Sequence, residues 1–121
     1  MAKVKGIGGF FFRARDPEKL AAWYQEHLGI DDFNVSVWRQ EEGLTVFAPF
    51  PDGTDYFGRY EQQWMINFRV DSLDRMIADL ERAGIEVETR AEWDSDAGRF
   101  ARVYDPEGNP VELWEPPKKK N

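Results

Sequence analysis

The chain of 121 residues contains no cysteine. That absence removes disulfide frameworks, thiolate nucleophiles and zinc–thiolate sites, and it fits a reducing cytoplasm. Histidine is scarce as well, with His27 alone. Positive charge is in deficit: 16 Lys and Arg stand against 23 Asp and Glu, a net charge of −7. A nucleic-acid backbone or an anionic membrane needs a concentrated positive field, so both are argued against as partners. No stretch approaches the roughly 20 apolar residues of a membrane span, and the first residues lack a signal-peptide core. A soluble, cytoplasmic protein is the expectation. No G-x-S-x-G, P-loop or dinucleotide fingerprint occurs, and the Gly6-Ile7-Gly8-Gly9 run is not followed directly by a helix, so it is no phosphate cradle.

Aromatic rings are what the chain has in abundance. Nine Phe, five Trp and four Tyr can fill a core or line a cleft. The length suits one domain with a real core and is too short for two independent ones. From Lys5 to Arg15 the sequence is Gly-rich and then aromatic, which reads as a strand. Period-2 alternation sets Gly9, Phe11 and Arg13 on one face and Phe10, Phe12 and Ala14 on the other. Asp16-Pro17-Glu18 is a helix start, Leu20, Trp23, Tyr24, His27 and Leu28 recur at helical spacing, and Gly29 closes the helix. Val35 to Arg39 and Leu44 to Phe47 read as short strands. Residues 49–58 hold too many Pro, Gly and Asp for a regular element and read as an ordered loop.

At Gln63 the pattern restarts. Trp64 to Val70 reads as a strand, and Asp71-Ser72 opens a helix with the stripe Leu73, Met76, Ile77 and Leu80, which ends at Ala83-Gly84. Ile85 to Thr89 is another short strand, and Ala91 to Gly98 an acidic loop. Phe100 to Tyr104 and Pro110 to Trp114 then flank Asp105-Pro106-Glu107-Gly108-Asn109 as a hairpin. Asp16, Gly29 and Ile30 correspond to Asp71, Gly84 and Ile85 at one constant spacing of 55. Two copies of such a unit indicate a duplicated supersecondary module rather than a solenoid. The expected fold is α+β: two tandem βαβββ modules, about 1–60 and 61–116, forming a curved mixed or antiparallel sheet cup backed by one helix per module, with a short basic tail 117–121.

The paired modules, the strand running into Asp-Pro plus helix, and above all the ending DPEGNPVELWEP resemble the vicinal-oxygen-chelate superfamily. This is the glyoxalase, bleomycin-resistance and extradiol-dioxygenase group, and the likeness covers essentially the whole chain. It implies a cup in which metal-using members hold a divalent ion with His, Gln or Glu ligands, leaving positions open for a substrate's neighbouring oxygens. Carried over residue by residue, the last-strand Glu falls on Glu112, whereas the usual histidine positions fall on Gly9 and Met65. Leu44 to Phe47 offers no ligand, and His27 aligns with no ligand position. One carboxylate does not make a metal site, so the expectation is a protein without metal or other cofactor.

The same resemblance gives Arg13 a contact with an anionic substrate group; on the residues alone it could equally pair with Glu112. Alternation puts Met65 and Asn67 toward the cup, with Glu112 and Trp114 on the last strand and Phe100, Arg102 and Tyr104 on its neighbour. Trp38 and Phe47 are further candidates for the cavity. These rings could be plain core, and the same set also suits a small-molecule pocket. Two functions remain open: a binding protein that encloses a small aromatic or anionic molecule, and a lyase or isomerase with Glu112 as general base. A metal-dependent lyase or dioxygenase is disfavoured by Gly9 and Met65. A homodimer is expected, as two-module members of the superfamily commonly form one.

Overall fold

The computed structural model describes residues 1–118; Lys119, Lys120 and Asn121 of the basic tail lie outside the described residues. Its elements are helix α1 (Pro17–Leu28), strand β1 (Ile66–Arg69), helix α2 (Leu73–Arg82), a 3-10 turn (Ala91–Trp93), and strands β2 (Arg99–Tyr104) and β3 (Pro110–Glu115). The last strand is the centre of the sheet. It pairs in parallel with β1 and antiparallel with β2, giving the order β1-β3-β2. No helix among the described residues is long and apolar enough to cross a membrane.

Period-2 alternation along β3 divides the molecule. Val111 and Leu113 point to one face, where with Ala101 and Val103 they are fully excluded from solvent. Leu20 and Tyr24 of α1 and Leu73 and Leu80 of α2 complete that core. Glu112 and Trp114 point the other way, toward the face without helices.

Both helices begin and end as the local residues dictate. Asp16 accepts from the Lys19 amide at 3.1 Å, Pro17 takes the first helical position, and Gly29 (φ 72°) closes α1. Ser72 rather than Asp71 caps α2, accepting from the Arg75 amide at 3.3 Å. Beyond α2, Gly84 takes φ 82°. The residue after each of these glycines turns back onto its helix, Ile30 donating to the Tyr24 carbonyl and Ile85 to that of Leu80. These are C-terminal caps that only a residue tolerant of positive φ builds cheaply.

Each helix is also held by a carboxylate from the β2–β3 hairpin. At the turn end, Glu107 accepts from the amides of Arg15 (2.6 Å) and Asp16 (2.9 Å), just ahead of α1. At the other end, Glu115 accepts from the Leu73 amide at 2.8 Å, the first of α2. A helix N-terminus exposes unpaired amides and a positive dipole end, so an anion is the matching partner. Within the turn, the Asp105 carboxylate accepts from the amides of Glu107 (2.9 Å) and Asn109 (3.0 Å), from Asn109 Nδ2 (2.8 Å), and from the buried Tyr24 hydroxyl (2.6 Å). Burial and the Asp105 carboxylate hold that phenol protonated far above its ordinary range.

The first half departs from expectation. Lys5 to Arg15, Val35 to Arg39 and Leu44 to Phe47 have no ladder partners, Val35 sitting in a turn where its amide donates to the Asp32 carbonyl, and Ile85 to Thr89 contributes one bridge, Glu88 to Arg102. A strand is defined by pairing, and pairing is not a local property. The N-terminal segment is anchored by rings instead. Phe10 and Phe12 meet Trp64 at 5.0 and 5.1 Å, and Phe12 meets Tyr24 at 6.3 Å. Phe11, on the opposite side of the alternation, is 92% exposed.

Two outcomes follow for stability. Asp105→Ala leaves the buried Tyr24 hydroxyl and two turn amides without their acceptor and should cost about 3 kcal/mol, read from the urea unfolding midpoint. Glu107 has its carboxyl held below the ordinary 4.5 by the Asp16 and Arg15 amides. Its stabilisation is therefore present above pH 4.5 and lost as pH falls through the lowered value. Glu107→Gln should melt earlier than the parent at neutral pH, and the gap should close in acid.

Candidate functional site

On the helix-free face the register brings three polar side chains together. Glu112 of β3 stands between Asn67 of β1 and Arg102 of β2, its direct partners in the two ladders. Asn67 Nδ2 donates to Glu112 Oε1 at 2.8 Å. The Tyr56 hydroxyl, from the loop of residues 49–58, donates to Glu112 Oε2 at 2.5 Å. Both carboxylate oxygens are thereby occupied. The Tyr56 phenol is pushed up to about 12, first by burial, then by its hydrogen bond to Glu112 and that group's negative charge, with Arg102 acting in the opposite direction. At neutral pH it is a protonated donor.

Arg102 is 6% exposed. Its backbone is fixed by two 2.8 Å bonds with Glu88. Its guanidinium carbon lies 4.5 Å from the centre of the Tyr56 ring and 5.3 Å from that of Trp93, which the 3-10 turn presents. Nη2 reaches the Met65 thioether at 3.5 Å. Nε is buried with no hydrogen-bond partner. Among the described residues no carboxylate lies within ion-pair distance of this guanidinium; Glu88 pairs with Arg90 instead. Arg102 is thus a buried cation held by ring faces and a sulfur, with its Nε donor buried and unpaired.

Further along the face, Phe100 and Trp114 stack with rings 3° from parallel and 6.2 Å apart. The Trp114 indole donates to the Ala97 carbonyl at 2.8 Å. Gly98 (φ 127°) allows that approach, since a Cβ there would strike the Glu115 carbonyl and the Trp114 indole.

The other expected residues lie elsewhere. Arg13 lines a shallow concavity of about 310 Å³ with Arg15, Arg59, Glu107 and Asn109, beside the start of α1, and makes no ion pair with Glu112 among the described residues. Trp38 meets the edge of Phe68 at 6.1 Å, on the helix side of the sheet. Phe47 is 90% exposed. His27 sits 5.5 Å from Trp23, far from the carboxylate. Tyr56 and Trp93 are the members that the reading of the sequence missed as site residues. The available signal was a bulky ring inside an otherwise polar, turn-rich loop, which needs a surface to cover.

The residues do not fit the divalent ion that the resemblance implies. Gly9 has no donor, Met65 is engaged by Arg102, and Glu112 has both oxygens taken beside a guanidinium that would repel a cation. Among the described residues no three His, Cys, Asp or Glu side chains converge. No step through a metal is derived.

Comparison with known proteins gives the fold and the family. YwkD of Bacillus subtilis (strain 168) is 28% identical over 127 residues, covering 93% of this chain and 98% of its own. TnmS3, an antibiotic binding protein from Streptomyces sp. CB03234, shares the fold at 22% identity, with 97% of this chain and 100% of that chain covered and a TM-score of 0.64. A glyoxalase/bleomycin resistance protein from the same Streptomyces strain gives 24% identity, 83% and 91% coverage and a TM-score of 0.50. The model of the glyoxalase-like domain matches residues 9–114, nearly the whole of the sheet, the helices and the Glu112–Arg102 face, and the chain belongs to that family.

Proposed function

We propose that the chain binds a small aromatic anion on the face built by Glu112, Arg102, Asn67, Met65 and Trp93, and does so without a metal. The observation that carries this reading is the Arg102 guanidinium. A buried charge without a counter-ion is costly. A ligand carboxylate or comparable anion that reaches the unused Nε would supply both the missing charge and the missing acceptor. The Trp93 ring beside the guanidinium, with the Phe100–Trp114 stack on the same face, supplies apolar surface for an aromatic body. Antibiotic binding by TnmS3 accords with this use of the fold.

Catalysis with Glu112 as general base on an acidic C–H is the weaker reading. Such a base needs a free oxygen facing the substrate, and both oxygens here accept from neighbours. Turnover of any screened compound that is lost on Glu112→Gln, with folding intact, would restore it.

Two wider features belong to the proposal. The constant spacing between the two halves supports two tandem modules enclosing one cup. The apolar side chains exposed in the first half, Phe11, Phe33, Val46 and Phe47 among them, support a homodimer that covers them. A mass of one chain by sedimentation at micromolar concentration would remove the dimer.

Two measurements test the site. Naphthoate should bind by calorimetry and its uncharged amide should not, and Arg102→Ala should weaken naphthoate by about tenfold or more, the loss of one charged hydrogen bond. Equal affinity for acid and amide would sink the reading. Independently, Glu112→Gln removes one of the causes of the raised Tyr56 phenol. In a spectrophotometric titration that ring should ionise below about 12, nearer its ordinary 10.0.

A further inference from the structure

We propose that Tyr56 is an internal guest of the binding face, and that the external ligand is a hydroxylated aromatic which takes its place over Arg102 and against Glu112. This rests on the binding reading above and names the ligand class for the same site.

The socket and its occupant come from different parts of the chain. Arg102, Glu112 and Asn67 are set by the ladder register, and Trp93 by the 3-10 turn. The ring comes from the loop of residues 49–58. That loop is ordered by its own contacts: the Thr54 amide donates to the Pro51 carbonyl, Gly58 to Asp55, and Tyr56 to the Thr54 hydroxyl. Phe50 stacks on Tyr56 at 5.8 Å and meets Phe57 at 5.1 Å. Among the described residues, the only hydrogen bond from this loop to the rest of the chain is the Tyr56 hydroxyl to Glu112. The loop ends at Gly58 with φ 91°, a backbone state that strains other residues. One hydrogen bond, the guanidinium contact and one edge-on ring contact therefore hold the occupant in a socket built by residues outside its loop.

The occupant shows what the socket accepts. Its ring lies under a guanidinium and edge-on to Trp93, at 6.4 Å, and its hydroxyl completes a carboxylate whose other oxygen Asn67 already serves. A bare ring or a second anion at Glu112 would leave Oε2 without a donor, a loss of the kind that makes sites built on buried polar groups selective. A ring with a hydroxyl replaces every contact that Tyr56 makes. Its affinity is then reduced by the fraction of molecules in which Tyr56 already fills the socket.

The test is calorimetric titration of the wild-type chain with naphthoate and a set of its hydroxylated isomers. One isomer should bind about tenfold tighter than naphthoate, and Glu112→Gln should erase that gain. Tyr56→Phe, which keeps the ring but loses the tether, should bind the same compounds about tenfold more tightly, because the competitor is weakened. Tyr56→Ala, which empties the socket, should gain as well. Naphthoate binding with no hydroxyl gain in any isomer, or weaker binding by both Tyr56 variants, overturns the guest and leaves the aromatic-anion reading standing. No binding of any compound to any of these chains overturns both.

Discussion

The Asp105 carboxylate is the constraint on which the rest of the structure depends. Four donors converge on it, three from its own turn and one from Tyr24 of α1. The turn amides could be served by water; the Tyr24 hydroxyl, buried against the sheet, could not, so the hairpin and the first helix are bonded where solvent cannot compete. Once that contact exists, Glu107 lies beside the amides at the start of α1. The D-P-x-G-N stretch that marks the family resemblance is thus a docking piece for a helix, on the side of the sheet away from Glu112 and Arg102.

β3 makes this economical. Its odd-numbered residues Val111 and Leu113 carry the core, Glu112 between them carries the site, and Glu115 reaches the start of α2. One strand holds the core, a helix and the Glu112 carboxylate of the candidate site together. Displacing Glu112 without moving Val111 and Leu113 is not open to a pleated chain, because neighbouring residues alternate faces rigidly. The site inherits its precision from the core behind it.

What could be read from the sequence was whatever is local. The Asp16-Pro17 and Ser72 helix starts, the Gly29 and Gly84 endings and the hairpin about Asp105 follow from side chains within a few residues of one another, and each is present. Alternation also separated Glu112 and Arg102 from Val111 and Leu113, so four of the nine expected side chains, Glu112, Arg102, Asn67 and Met65, meet in one cluster. What escaped is whatever depends on distant partners. The extended runs of the first half needed a neighbouring strand to become strands. Arg13 is expected to face the cup with Gly9, yet it lines a concavity with Arg59 and Glu107 rather than meeting Glu112. Tyr56 and Trp93 sit in loops, where no periodicity announces a direction.

Sequence distance gives the hairpin turn a temporal meaning. The bonds from α1 to Asp105 and from the start of α1 to Glu107 join residues 81 to 92 positions apart. A chain made from its N-terminus completes α1 well before the groups that seat it, which follow 81 to 92 positions later. Until then α1 is a 12-residue helix of a length that is marginal by itself in water. Closing so long a loop is also a slow, late event in folding. The first helix is therefore secured only once the distant hairpin turn has been made, long after its own residues.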